Sequence, residues 1–242
     1  MNILILGYGK MGKTIEKIAI NRGHQIIEKV DVDHRDDILS QLSPQNIDVA
    51  IEFTQAEAAP TNIRYCLKNN IPVVSGTTGW LKEKPAIEDY CIEQNGTFFY
   101  ASNFSIGVNI FFKLNEFLAK MMNAYPDYQP SMVEVHHTQK KDAPSGTAIT
   151  LAEGMLKELS QINDWYLKGE YENLPEQNLP ITSKREGDVP GTHVVTYHSE
   201  IDDIEIKHTA HGREGFALGA VLVAEWLQNK KGILSMNDFI KF

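Results

Sequence analysis

Cysteine is nearly missing from this chain of 242 residues: Cys66 and Cys91 are the only two, far apart and without CxxC spacing. That excludes a disulfide framework and a cysteine zinc site, and leaves two buried thiols of a reducing compartment as the plain reading. Long hydrophobic runs are missing too. No stretch approaches the ~20 apolar residues of a membrane span, and Ile3–Leu6 gives way to glycines with no basic leader before it, unlike a signal peptide. The expectation is a cytoplasmic protein off the membrane. Basic charge is the third deficit: 23 Lys and Arg against 32 Asp and Glu give a net charge of −9. A sequence-independent nucleic-acid binder is thereby disfavoured, and any anionic ligand needs a local positive patch against the average field.

The chain is long enough for one large domain or two moderate ones. Residues 1 to about 104 alternate short β-rich runs with helical patterns, the sequence form of a parallel sheet with crossover helices. The strands expected are Asn2–Leu6, Gln25–Val30, Asp48–Phe53, Pro72–Ser75 and Thr97–Ala101, with helices over Lys13–Asn21, Ala56–Asn69 and Pro85–Gln94. A change of texture follows Phe104. Ile106–Met122 carries Ile110, Phe111, Leu114, Phe117, Leu118 and Met121 at helical spacing; Met132–His137 reads as a strand and Thr147–Leu159 as an amphipathic helix. Ser160–Gly191, polar and holding Pro175, Pro180 and Pro190, reads as mostly loop. Thr192–His198 and Ile204–His208 alternate as strands, and a final helix runs near Gly215–Gln228. The expected class is α/β: a Rossmann-like parallel-sheet domain over 1–104, an α+β domain for substrate binding and oligomerisation over 105–212, and a closing segment, 213–242.

Gly7, Gly9 and Gly12 match G-x-G-x-x-G directly after the first strand and ahead of a helix. Glycines there let the backbone approach a pyrophosphate, and the helix start offers unpaired N–H groups and a positive dipole end. The loop from Gly7 through Tyr8, Gly9, Lys10 and Met11 to Gly12 is therefore a candidate dinucleotide site. Asp31 and Asp33, about 20 residues on, are candidates for the adenosine ribose, while Arg35 could meet a 2′-phosphate, so NADH and NADPH both stay open. Gly76-Thr77-Thr78-Gly79 and Ala101-Ser102-Asn103-Phe104 follow the fourth and fifth strands, where open parallel sheets place ligand loops.

The segment from Val133 to Ala148 carries His136, His137, Lys140 and Lys141 ahead of Ala143-Pro144-Ser145-Gly146-Thr147. Ser145 can cap a helix starting near Gly146, whose free N–H groups suit a carboxylate, and the imidazoles and ammonium groups can hold an anion and give it a proton. Metal binding by the adjacent His136 and His137 is disfavoured, since neighbours on a strand point to opposite faces. His208-Thr209-Ala210-His211-Gly212-Arg213 could bring another cation.

These residues carry a resemblance to the dihydrodipicolinate reductase family. Its signature stands here as Glu134-Val135-His136-His137-Thr138-Gln139-Lys140-Lys141-Asp142-Ala143-Pro144-Ser145-Gly146-Thr147-Ala148. Gly76–Gly79, Ala101–Ser105, and Arg213 with Phe216-Ala217-x-Gly219-Ala220 fit in order, so the resemblance spans essentially the whole chain. The family's usual first loop is one residue longer, often Gly-x-x-Gly-x-Met-Gly. The resemblance implies hydride transfer from NADH or NADPH to an unsaturated cyclic dicarboxylate in lysine biosynthesis through diaminopimelate. It implies His136 as acid/base group and Lys140 as second proton donor; His137, Lys140, Ser145, Gly146 and Thr147 on substrate carboxylates; and Gly76–Thr78 with Ala101–Phe104 on the nicotinamide side. A closing helix returning to the nucleotide domain and a homotetramer joined through the substrate-domain sheet are also implied, with no metal. Two other readings stay open at this level: another small NAD(P)-dependent oxidoreductase such as an amino-acid dehydrogenase, or a dinucleotide-sensing protein without turnover.

Overall fold

The computed structural model describes residues 1–31, 35–169 and 177–241. They form two compact units, Met1–Ile106 with Arg213–Phe242, and Gly107–Gly212.

The first unit is built on a six-stranded sheet from β1 (Asn2–Leu6), β2 (Gln25–Val30), β3 (Val49–Glu52), β4 (Val73–Ser75), β5 (Thr97–Tyr100) and β11 (Gly232–Leu234), in the order β11-β5-β4-β3-β1-β2. Every pairing is parallel. Both faces are covered, so the strands read as apolar runs rather than alternating ones. Ile3 and Ile5 of β1 face α1 (Lys10–Asn21) and α7 (Glu214–Trp226); Leu4 and Leu6 face the side of α3 (Ala59–Lys68) and α4 (Lys84–Glu93). α7 lies close to the sheet's loops: a Cβ on Gly219 would sit 1.8 Å from the Phe104 carbonyl oxygen, which requires glycine there. Unforeseen in the sequence are α2 (Arg35–Gln41), the 3-10 turn Pro44–Asn46, β11 and α8 (Met236–Phe239), each only a few residues long.

The second unit holds the sheet β10-β9-β6-β8-β7, from β6 (Gln129–His136), β7 (Asp164–Leu167), β8 (Asn178–Arg185), β9 (Gly191–His198) and β10 (Asp203–Ala210). Its β9 neighbours are antiparallel and its β8 neighbours parallel. One face packs on α5 (Ile106–Met122) and α6 (Gly146–Glu158): Phe111, Leu118, Leu151 and Met155 cover Met132, Ile181, Val195 and Tyr197. The expectation of a loop over Ser160–Gly191 is corrected here, because β7 and β8 occupy much of it. Pro180 had argued against a strand. It pairs with Tyr166 of β7 but precedes Ile181, the first β8 residue registered on β6, so its missing N–H costs β6 no ladder bond. Within α5 the apolar positions divide. Phe111 and Leu118 are buried, whereas Ile110, Leu114, Phe117 and Met121 are 46–60% exposed along a neighbouring face.

Candidate active site

In the first unit, the carboxyl ends of parallel strands bring the expected loops to one edge of the sheet. Gly7 turns with φ +94°, and its N–H donates to the Val30 carbonyl (2.8 Å). Gly7 and Gly12 are fixed by packing, since added Cβ atoms would lie 2.0 Å from the Phe53 carbonyl oxygen and 2.1 Å from the Gly7 carbonyl oxygen. Gly9 differs. It caps α1 without a side-chain bond, and a Cβ there would meet nothing within 4 Å. The first N–H groups of a helix lack intrahelical partners, α1 has no acid in its first turn, and Lys10 and Met11 follow Gly9 directly. This open cradle fits the pyrophosphate of a dinucleotide. Beside it the Tyr8 hydroxyl donates to Glu16, which also accepts from Lys29 (3.1 Å), and the Lys29 ammonium lies 5.0 Å from the Tyr8 ring centre. The Glu16 bond pushes the Tyr8 hydroxyl's pKa up. Asp31 is exposed just past β2. Asp33 lies outside the described residues, as does the Arg35 side chain.

The loop after β4 is organised by Glu52, the fully buried last residue of β3. Its carboxylate accepts from Ser75 Oγ (2.6 Å), Thr77 Oγ1 (2.8 Å), the Thr54 N–H (3.0 Å) and the Thr54 hydroxyl. The Thr77 hydroxyl is thus turned inward, while Thr78 is exposed. A Cβ on Gly76 would strike the Phe53 ring at 2.2 Å. After β5, Ala101 and Phe104 are buried and Ser102 is exposed; Asn103 Oδ1 accepts from the Ser105 N–H (2.9 Å). What these two loops offer a ligand is chiefly backbone and small side chains.

The second unit gathers the charged groups at one end of its sheet. Glu134 and His136 alternate onto the buried face of β6, and the His136 Nδ1 hydrogen-bonds Glu134 Oε2. Glu134 Oε1 accepts from Arg185 Nη1 (2.9 Å). Burial works against the Glu134 charge, but the bond from His136, the nearby Ser183 hydroxyl and Arg185 outweigh it and hold its pKa down to about 2. Across the ladder, His193 of β9 registers on Glu134, and its ring stands edge-on to His136 with centroids 5.1 Å apart. Burial, then the neighbouring His136, push His193 down to about 4, so it is neutral near pH 7. Its Nε2 lies 3.0 Å from Ser145 Oγ, which accepts the Ala148 N–H (3.2 Å) as the cap of α6. Ser145 is only 2% exposed, whereas Gly146 is exposed and Thr147 half-buried at the helix start.

Lys140 Nζ is held by the Asp142 carboxylate at 2.7 and 2.8 Å, which pulls the Asp142 pKa down. His137 sits half-buried just past β6, its carbonyl accepting from the Lys140 N–H (3.1 Å). Lys141 is exposed. His208, opposite His193 in the ladder, packs on Phe111, and burial followed by His211 lowers its pKa. Arg213 is exposed at the cap of α7, in the first unit.

Glu134, His136 and His193 each place one ligand-type atom within 4.8 Å of the others. Both Glu134 oxygens are already engaged, and a guanidinium 2.9 Å away competes with any cation, so Glu134 and His136 read as a hydrogen-bonded pair with the His193 ring packed edge-on beside it rather than as a metal site. Sequence reasoning had given no role to Glu134, Arg185, His193 or Glu52. The i, i+2 spacing of Glu134 and His136 on a strand was the one available signal.

Comparison with known proteins gives a consistent result. The family model described as dihydrodipicolinate reductase, N-terminus, matches residues 1–104, and the one described as dihydrodipicolinate reductase, C-terminus, matches 107–240. A 4-hydroxy-tetrahydrodipicolinate reductase of Christiangramia forsetii is 52% identical over 99% of this chain and 98% of its own length. One from Methanocaldococcus jannaschii is 38% identical over 86% of this chain and 75% of its own. The fold is shared with dipicolinate-bound dihydrodipicolinate reductase from Paenisporosarcina sp. TG-14, at TM-score 0.74, 22% identity and full coverage of both chains.

Proposed function

The chain belongs to the dihydrodipicolinate reductase family, and from that premise we propose that His136 and Lys140 deliver the protons of its reaction. The reaction is the NAD(P)H-dependent reduction of 4-hydroxy-tetrahydrodipicolinate to tetrahydrodipicolinate, in lysine biosynthesis through diaminopimelate. This sets aside the amino-acid dehydrogenase and the sensor without turnover. In balance, one hydride and one proton enter the substrate and water leaves. Departure of the hydroxyl as water takes one donated proton and returns a ring C–H proton; the hydride with a second donated proton then saturates the double bond. The dihydronicotinamide, when bound, supplies the hydride.

The protein's part is to bind, orient and protonate. The start of α1 at Gly9 to Gly12 would take the pyrophosphate, with Tyr8, Lys10 and Met11 around it and Asp31 at the adenosine ribose. Gly76–Thr78 and Ala101–Phe104 would bound the nicotinamide side, mainly through backbone. The dicarboxylate would meet the Ser145-capped start of α6 at Gly146 and Thr147, with Lys140 adding local positive charge in a chain of net charge −9 and His137 adding a hydrogen-bonding ring. Hydride addition leaves electron density on the substrate, which a cationic donor quenches. The observation that carries the assignment is the Glu134–His136 bond: a carboxylate on Nδ1 leaves Nε2 as the working nitrogen.

The assembly is proposed to be a homotetramer joined through the second unit's sheet. Support comes from the face turned away from α5 and α6, where Val133, Val135 and Val194 are only partly buried. A cytoplasmic location fits the two buried free thiols. No helix among the described residues is long and apolar enough to cross a membrane. The test is coenzyme consumption with freshly generated 4-hydroxy-tetrahydrodipicolinate. Turnover with NADH or NADPH that survives Lys140→Ala and His136→Gln undiminished would defeat the proton assignment.

A further inference from the structure

Two groups proposed to move protons, His136 and Lys140, stand on different supports, a strand and the loop after it. One ion pair, of a buried carboxylate with a half-buried guanidinium, touches both. Glu134 is fully buried on β6, and its two oxygens are divided: Oε2 to His136 Nδ1, Oε1 to Arg185 Nη1 at 2.9 Å. Arg185 ends β8, registered directly on His136. Its remaining donors turn to the loop that carries Lys140: Nη2 to the Asp142 carbonyl (2.6 Å) and Nε to the Lys140 carbonyl (3.3 Å), with Nη1 also reaching the Lys184 carbonyl (2.7 Å).

We propose that Glu134 and Arg185 act as a single positioning device, Glu134 fixing which nitrogen of His136 carries the exchangeable proton and Arg185 holding the Lys140 loop in register with it. The proposal rests on the assignment of proton chemistry to His136 and Lys140.

The physical grounds are these. An ionised carboxylate only accepts hydrogen bonds, so the nitrogen facing it must carry a proton in every state of the ring, and exchange is left to the other nitrogen. For His136 that other nitrogen is Nε2, and room is kept on its side: a Cβ on Gly191 would come within 3.0 Å of it. Arginine suits the second task because its planar fork holds several acceptors in fixed directions at once, which a lysine ammonium does not do. Here it spans a carboxylate and three carbonyls, and the two loop carbonyls belong to Lys140 and Asp142, whose side chains form their own ion pair. A carboxylate buried only to neutralise Arg185 would have no need of His136, and an arginine present only to neutralise Glu134 would have no need of the loop.

The test uses the full-length enzyme labelled with 15N in histidine. Nitrogen shifts of His136, identified by its loss in His136→Gln, are read on the alkaline plateau of a pH series. The wild type is expected to show one tautomer, protonated at Nδ1. Glu134→Gln, whose amide can accept or donate, is expected to give a mixture of tautomers, a kcat lowered at least 10-fold and an unchanged coenzyme KM. Arg185→Lys is expected to leave the tautomer as in wild type while kcat falls and substrate KM rises, because the Lys140 loop is released. Since Glu134→Gln leaves Arg185 without its counter-charge, each variant is first matched to wild type by circular dichroism, and Arg185→Lys supplies the reading should the other not fold. A wild-type ring protonated at Nε2, or a Glu134→Gln ring with an unaltered single tautomer, overturns the Glu134 arm; wild-type kinetics in Arg185→Lys overturns the other. Full activity in His136→Gln would instead remove the underlying catalytic assignment and leave the tautomer result standing.

Discussion

Ser145 Oγ lies 3.0 Å from His193 Nε2 while accepting the Ala148 N–H, so one hydroxyl joins the cap of α6 to a buried imidazole on β9. The helix start proposed to hold the substrate is thereby tied to the sheet that carries His136. Ser145→Ala removes the cap, worth about 1 kcal/mol, and strands a buried nitrogen, worth roughly another 1–3 kcal/mol. The expected result is a lower denaturation midpoint in urea and a higher substrate KM, with coenzyme KM unchanged.

His193 also predicts an acid response. Its folded pKa, about 4, lies below the ordinary 6.5, so the unfolded chain binds a proton that the folded chain refuses. Its contribution is complete above pH 6.5 and is lost as pH falls toward 4, by roughly 3 kcal/mol at ~1.4 kcal/mol per unit. Glu134, held to about 2 against 4.5, adds a second loss between those values. Unfolding free energies measured from pH 7 to 3 should fall in the wild type, and His193→Gln should flatten the part between 6.5 and 4.

The glycine loop separates folding from binding. Gly7→Ala and Gly12→Ala place a Cβ about 2 Å from backbone and should destabilise the unit or prevent its folding, Gly7 also because of its positive φ. Gly9→Ala meets no protein atom within 4 Å. It should melt within a few degrees of wild type and raise coenzyme KM at least 10-fold. An unchanged coenzyme KM in Gly9→Ala would mean that the space beside Gly9 serves no ligand.

Glu52 gives a fourth prediction. Glu52→Gln keeps size but offers one acceptor oxygen where the carboxylate collects four donors. Loss of order around Thr54 and Gly76–Thr78 should cost about 1–3 kcal/mol of stability and raise coenzyme KM while substrate KM holds. Unchanged coenzyme binding would detach that loop from the dinucleotide site.

Much of this was legible in the sequence where the physics is local. β1, β2 and α5 fall on the expected residues because apolar runs, helical periodicity and the glycine stop at Gly7 are nearest-neighbour signals. The cap at Ser145 follows from the Pro144-Ser145 order and is seen in the Ala148 bond. β7 and β8 were hidden because prolines and polar residues there imitate a loop, and only their partners in the sheet make them strands. The site divides the same way. Glu134 and His136 share a face by strand alternation, but Arg185 and His193 reach Glu134 only through the β6–β8 and β6–β9 registers, which no local pattern encodes. Glu52 was concealed as an acid ending an apolar strand, indistinguishable there from a solvated terminus.

His136 and Lys140 are proposed to deliver protons to the reduced dicarboxylate. Steady-state kinetics of His136→Gln and Lys140→Met, with 4-hydroxy-tetrahydrodipicolinate and each nicotinamide coenzyme, test it most directly. The expected kcat is at least ~100-fold lower in each variant, within the usual range for a lost general acid, with a coenzyme KM near wild type. A kcat within twofold of wild type in both would contradict it.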